Sequence, residues 1–93
     1  DVKDSWESVI SVISRDHRIG KSHMNVPGHD GRKGFGGACF PKDSLALIKF
    51  ADSLNVDLNS LISTVKINNQ LRSAYKALDK RESEQNVSFD DKI

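Results

Sequence analysis

The sequence predicts a small all-α domain of about three helices, with a long glycine-rich loop between the first helix and the second. Three stretches repeat apolar residues every three or four positions, which is the spacing of one helix face. Residues 15–38 are instead rich in glycine and include Pro27, so they predict a loop. A chain of 93 residues holds one small domain with a modest core.

The first helix is predicted over residues 6–14, with Ser5 as its N-cap. An apolar stripe at helical spacing runs along it and consists of Trp6, Val9, Ile10 and Ile13. Because such a stripe usually faces the protein interior, we expect these side chains to belong to the core.

The second helix is predicted to begin at Pro41 and to end near Leu54, with Asn55 as a stop signal. The third helix, capped by Asn59, is predicted to continue for about twenty residues. Residues from 81 onward are mostly polar and charged, which predicts a fraying segment. We therefore expect a helical domain over residues 1–80 and a polar C-terminal tail over residues 81–93.

Composition argues against several kinds of partner. The formal net charge of +1 gives no strong attraction to nucleic acid or to a membrane surface. One cysteine and three scattered histidines form no recognisable zinc-binding spacing, so no metal is expected. The sequence contains no apolar run of membrane-spanning length and no signal-peptide pattern, and we expect a cytoplasmic location.

The run GFGGACFPKD, from Gly34 to Asp43, is the stretch most suggestive of chemistry. Proline is favoured in the first turn of a helix, which places Cys39 at the helix entry, where unpaired N–H groups favour negative charge. Asp43 follows Cys39 by four positions and shares its helix face, with Lys42 beside it. Cys39 is therefore a candidate nucleophile; the alternative is a buried structural cysteine before an ordinary solvated first turn.

The same run resembles the catalytic-cysteine motif of the UDP-glucose/GDP-mannose dehydrogenase family. The upstream residues Asp16-His17-Arg18-Ile19-Gly20 resemble that family's D-x-R-I-G element, at a plausible distance and in the right order. The resemblance extends from Arg18 to about Asn69 and identifies the chain as part of the family's central, dimerisation domain. It implies a fold similar to the helical C-terminal domain of 6-phosphogluconate dehydrogenase.

The resemblance also implies an activity. Enzymes of this family oxidise a nucleotide-sugar alcohol to an acid with NAD, and the motif here is similar to those that convert UDP-glucose to UDP-glucuronate. Cys39 would form a covalent intermediate, Asp43 would activate or position water, and Lys42 would contact the cofactor. Sulfur suits this work because it is a strong nucleophile and its thioester can be hydrolysed.

Three further residues acquire substrate-binding roles from the resemblance. Arg18 would reach the nucleotide-sugar site of the partner subunit in a homodimer, where its guanidinium suits a pyrophosphate. Asn25 would lie in a substrate-contacting loop, and the backbone of Gly36 would approach the sugar. The implied partners are therefore a nucleotide sugar and a second copy of the chain.

The sequence covers only part of such an enzyme. It contains no strand followed by G-x-G-x-x-G and a helix, which a dinucleotide-binding domain requires. The family's helix with a Lys-x-x-x-Asn pair would precede residue 1. We expect the chain alone to lack dehydrogenase activity; the alternatives are a non-enzymatic dimerisation or interaction module and a split subunit completed by another chain.

Overall fold

A computed structural model describes residues 2–90, except the side chains of Val2 and Lys3. Within residues 2–90 there are four helices and no strand, which confirms the all-α prediction: α1 (Val2–Ile13), α2 (Phe40–Ser53), α3 (Asn59–Ser73) and α4 (Lys80–Glu84). Residues 14–39 form turns, bends and irregular backbone. Across residues 2–90, no helix combines the length and the apolar character needed to cross a bilayer.

The chain divides into two compact units, residues 1–32 and residues 33–93. In the first unit, the indole N–H of Trp6 donates a hydrogen bond to the Met24 carbonyl at 2.7 Å. Trp6, Val9 and Ile13 nevertheless remain 39–45% exposed. The expectation of burial is wrong for these three residues, because the described part of the unit contains no second helix to cover them, whereas Ile10 is half-buried.

α1 also begins earlier than the sequence predicts. The helix already includes Val2, so Ser5 lies inside it and is not an N-cap. The hydroxyl of Ser8 donates to the Asp4 carbonyl at 3.1 Å, which is a bond within the helix. A favourable capping residue in the sequence therefore marked a position in the first helical turns, not the boundary itself.

The core of the second unit lies where α2 packs against α3. Its buried apolar side chains are Ile48, Ala51, Val65 and Phe89. Phe89 comes from the segment after α4, and its carbonyl accepts a hydrogen bond from the Ser73 hydroxyl at 2.9 Å. The expectation of a fraying segment is therefore wrong for residues 81–90, which pack on α3; residues 91–93 of the predicted tail lie outside the described residues.

The boundaries of α2 are close to those predicted. Cys39 is the N-cap residue, and its carbonyl accepts the Asp43 N–H at 2.8 Å. The helix starts at Phe40, with Pro41 in its first turn, where a missing N–H breaks no helical bond. Asn55 ends the helix as predicted by taking a φ of +58°, a conformation that Asn tolerates better than most residues.

α3 is shorter than predicted. It contains 15 residues and ends at Ser73, where about twenty residues were expected. Leu58 occupies the N-cap position without a side-chain bond, so Asn59 is the first helical residue and not the cap. The chain leaves α3 early enough to turn back along it, and this return brings α4 and Phe89 into the second unit.

Candidate functional site

The glycine-rich loop before Cys39 is held by polar side chains of α3. The Asn68 carboxamide oxygen accepts the Phe35 N–H at 2.6 Å, and its NH₂ group donates to the Phe35 carbonyl at 2.8 Å. Asn68 is only 3% exposed. Because one amide satisfies both backbone groups of Phe35, it fixes this residue much as a neighbouring strand would.

Gly34 is required by this arrangement for two reasons. Its φ is +79°, in the region that side chains disfavour. A Cβ atom at this position would also lie 2.5 Å from the Asn68 amide oxygen. The glycine therefore allows the loop backbone to approach α3 closely enough for the two Asn68 hydrogen bonds to form.

A buried ion pair holds the next part of the loop. The carboxylate of Glu82, on α4, pairs with the guanidinium of Arg72, on α3, and the two side chains are 0% and 1% exposed. The Glu82 oxygen that contacts Arg72, Oε2, also accepts the Gly37 N–H at 3.0 Å. The other carboxylate oxygen, Oε1, accepts the Asp79 N–H at 3.1 Å. Any Cβ on Gly36 would collide with both the carboxylate and the guanidinium.

The surroundings of Glu82 keep it ionised. Burial raises its pKa, but the backbone N–H groups of Asp79 and Gly37 and the nearby Arg72 guanidinium favour the charged form. Together they outweigh burial and hold the pKa below the ordinary value of 4.5. At neutral pH the loop is therefore braced by a carboxylate and not by a neutral carboxylic acid.

The three residues predicted to carry chemistry are exposed at the start of α2. Cys39 is a free, exposed thiol, and Lys42 and Asp43 are exposed in the first helical turn. The ring of Phe40, the residue after Cys39, packs against the Phe35 ring, with the two centroids 5.0 Å apart. Since Cys39 is accessible, the alternative of a buried structural cysteine is wrong.

A pocket of about 220 Å³ lies beside the first turn of α2. Phe35, Pro41 and Lys42 line it together with Asn68 and, from the segment after α4, Asn86. Pockets for complete drug-sized ligands have volumes of roughly 300–1,000 Å³. This pocket is therefore suited to one portion of a larger ligand.

Two of the predicted site residues belong to the first unit. The Arg18 guanidinium grips the Asp16 carboxylate through two hydrogen bonds, Nε to Oδ1 at 3.0 Å and NH2 to Oδ2 at 2.7 Å. These bonds and one from the Arg18 backbone N–H hold the pKa of Asp16 below its ordinary value. Asn25 is exposed, and it follows Met24, whose carbonyl accepts the hydrogen bond from the Trp6 indole.

Four predicted residues lie in one continuous stretch of the second unit: Gly36, Cys39, Lys42 and Asp43. Asn68, Arg72 and Glu82, which hold that stretch, were not predicted as site residues. Asn68 and Arg72 follow the buried Val65 at helical spacing, so they continue the inward face of α3 with polar side chains. That polar continuation was the available signal for Asn68 and Arg72, and the Asp79-x-x-Glu82 spacing of a capping box was the available signal for Glu82.

Comparison with known proteins shows the family of the chain. The chain matches the model of the UDP-glucose/GDP-mannose dehydrogenase family, central domain, over residues 2–70. That match covers well over half of the chain, and the chain belongs to this family. Arg72 and Glu82 lie beyond the matched residues.

Curated relatives carry the same assignment. The chain is 36% identical over 63 residues to UDP-glucose 6-dehydrogenase YwqF of Bacillus subtilis (strain 168), covering 68% of this chain and 13% of that protein. It is 37% identical over 68 residues to UDP-glucose 6-dehydrogenase of Rhizobium meliloti (strain 1021), covering 73% of this chain and 14% of that one. The chain thus spans about one seventh of these relatives, and no solved structure matches it.

Proposed function

We propose that this chain is the cysteine-bearing part of the central domain of a nucleotide-sugar 6-dehydrogenase that converts UDP-glucose to UDP-glucuronate. The observation that carries the proposal is the exposed Cys39 at the N-cap of α2, with Asp43 in the following turn. Both lie within the residues that match the family. Residues 1–80 would form the partial central domain, in a protein of the cytoplasm.

Cys39 would act as a nucleophile on the aldehyde produced by the first oxidation of the sugar alcohol. Its sulfur bonds to the carbonyl carbon, and the carbonyl oxygen takes up a proton, giving a thiohemiacetal. That carbon then gives up a hydride to the oxidised cofactor while the hydroxyl oxygen loses its proton, which leaves a thioester. Water then attacks the thioester, the thiolate departs, and the carboxylic acid is released.

Asp43 and Lys42 would support these steps from the same helical turn. Asp43 is an exposed carboxylate four positions after Cys39, so it can accept a proton from the attacking water or orient it. Lys42 also lines the adjoining pocket, where an ammonium can meet an anionic part of a ligand. Gly36, Arg18 and Asn25 are proposed to contact the nucleotide sugar.

NAD would accept the hydrides removed in the two oxidations. The described residues fit only a small part of its site, because residues 2–90 contain no strand on which a dinucleotide-binding unit could be built. The chain's own contribution would be the Lys42 contact. We therefore propose that NAD is bound mainly by protein outside this sequence and that the chain by itself is inactive.

A second proposal is that the chain forms a homodimer, and an apolar stripe on α2 favours it. Phe40, Leu47 and Phe50 lie on one side of the helix, Leu54 directly follows its last residue, and all four are 51–63% exposed. A contiguous exposed apolar surface commonly marks an interface between proteins. The same surface would serve a non-enzymatic interaction module or a split subunit completed by another chain.

A chimera tests the proposed activity. The 63 residues of this chain that align with the Bacillus subtilis relative would replace the corresponding segment of that protein, and NADH production from UDP-glucose would be followed by absorbance. We expect turnover from the chimera, none from the isolated 93-residue chain, and none from the chimera with Cys39→Ser.

The matched control is Ser53→Ala at the far end of α2, which should leave turnover unchanged. A folded chimera that binds NAD and UDP-glucose without turnover would count against these residues as the catalytic segment. Full activity in the Cys39→Ser chimera would remove Cys39 as the nucleophile.

A further inference from the structure

The segment after α3 contacts the glycine-rich loop that precedes Cys39. It lies beyond the family match, which ends at residue 70, and it includes the fully buried Glu82. Two main-chain carbonyls secure the far end of the segment, since Asn69 donates to the Asp90 carbonyl at 2.9 Å and Ser73 donates to that of Phe89. Both ends of the segment are therefore tied to α3.

A capping box sets the direction in which Glu82 points. The Asp79 side chain accepts the Glu82 N–H at 2.8 Å, and the Glu82 side chain accepts the Asp79 N–H at 3.1 Å. This reciprocal pair fixes the rotamer of Glu82 at the start of α4. One carboxylate oxygen serves the cap, and the other remains directed at the loop.

The second oxygen of the Glu82 carboxylate lies in a site formed by the loop backbone and the Arg72 guanidinium. The Gly37 N–H donates to it at 3.0 Å, and the Arg72 guanidinium pairs with it. Gly36 leaves room for the carboxylate, because any Cβ there would occupy the same space. The loop backbone, the guanidinium and the absent side chain together form a cradle complementary to one anionic group.

We infer that Glu82 is a positioning residue. Its carboxylate binds in the cradle formed by Gly36, Gly37 and Arg72 and fixes the backbone two residues before Cys39. The position of the Cys39 thiol therefore depends on Glu82. Residues 79–90 thereby form a brace from the chain's own C-terminal segment. The consequence for catalysis rests on the proposed role of Cys39, whereas the brace itself is a property of this chain.

The first test needs no variant. Hydrogen exchange of the Gly37 amide would be followed by NMR on the full 93-residue chain under native conditions. A seated carboxylate predicts exchange at least about tenfold slower than in an unstructured chain of the same sequence. Exchange at the unstructured rate would overturn the inference by itself.

The second test monitors Cys39 with a nitroxide spin label attached to its thiol. The labelling is specific because the chain has one cysteine. In Glu82→Ala the label should become more mobile and the Gly37 amide should exchange faster. Formate, a free carboxylate small enough for the vacated cradle, should reverse both changes. The matched control is Glu84→Ala on the exposed part of α4, which should resemble the parent with or without formate.

A folded Glu82→Ala chain with unchanged label mobility and Gly37 exchange would overturn the inference, as would changes that formate leaves in place. If Glu82→Ala does not fold, Glu82→Gln keeps an oxygen acceptor and should hold the Gly37 amide more weakly than the parent. Failure of the cysteine chimera described above would leave these measurements unaffected, so the two proposals fail separately.

Discussion

Glu82 and Arg72 form an ion pair whose side chains are both almost completely withdrawn from solvent, at 0% and 1% exposure. The pair joins α3 to α4 and, through the Gly37 N–H, joins both to the loop that precedes Cys39. Breaking a buried pair is costly because the remaining charge stays in a low-dielectric site. The geometry around Cys39 thus depends on residues more than thirty positions away in the sequence.

The first prediction concerns stability and its dependence on pH. At pH 7, Glu82→Gln should lower the free energy of unfolding by about 3 kcal/mol, because Arg72 loses its fully buried counter-charge and keeps only the partly exposed Asp79 carboxylate, 3.6 Å away. Since the pKa of Glu82 is held below 4.5 in the folded chain, its stabilising effect is complete above that pH. It should disappear as pH falls through the lower, folded-state pKa, because the unfolded chain then binds more protons.

Urea unfolding of the parent and Glu82→Gln at several pH values measures this effect. The difference between the two curves should be largest at neutral pH and should shrink towards pH 3. Asp16, whose pKa is also lowered, titrates alike in both chains and cancels. Glu84→Gln, an exposed change on the same helix, should fall within roughly 0.5 kcal/mol of the parent. A difference that grew on acidification would contradict the assigned role of the Glu82 carboxylate.

The second prediction concerns Gly36. Replacement by alanine places a Cβ on the Glu82 carboxylate and the Arg72 guanidinium, so one of the three must move. We expect a loss of roughly 1–3 kcal/mol, as for other overpacked sites. Thermal or urea unfolding measures it. Gly28→Ala is the matched control, because its nearest neighbour would lie 3.7 Å away and the change should be nearly neutral.

The third prediction concerns association through α2. Phe50 is 62% exposed within the apolar stripe, and Phe50→Glu would place a charge inside a dimer interface built on that stripe. Sedimentation equilibrium at high protein concentration should show a dimer for the parent and a monomer for Phe50→Glu. The exposed neighbour Lys49 supplies a control, since Lys49→Glu should leave the dimer present. A monomeric parent would exclude the homodimer.

Much of the local structure around the motif could be predicted from the sequence. The helix start near Pro41 and the stop at Asn55 depend on short-range backbone preferences, and both predictions were confirmed within a residue. The family motif is also local, and the family match includes Cys39 and Asp43. The stripe on α1 was misread because periodicity identifies an apolar face without identifying what covers it.

The role of the glycines in the loop before Cys39 could be recognised only from the tertiary structure. In sequence, the family resemblance implied that a sugar approaches the Gly36 backbone. In the structure, Arg72 and Glu82 lie against Gly36, and Asn68 lies against Gly34. Residues 81–90 were predicted to fray on average polarity, yet Glu82 and Phe89 from that segment are buried. The average polarity of a segment does not reveal that one of its carboxylates is buried against a guanidinium and an amide N–H.

By itself, the sequence determined the helical class, the boundaries of α2 and the run from Gly34 to Asp43 that places a cysteine at a helix entry. Only the tertiary structure decided that this run is braced by Asn68 on α3 and by the Arg72–Glu82 pair. The physical reason is distance along the chain: caps and motifs act between near neighbours, whereas a buried ion pair exists only after folding brings its two halves together.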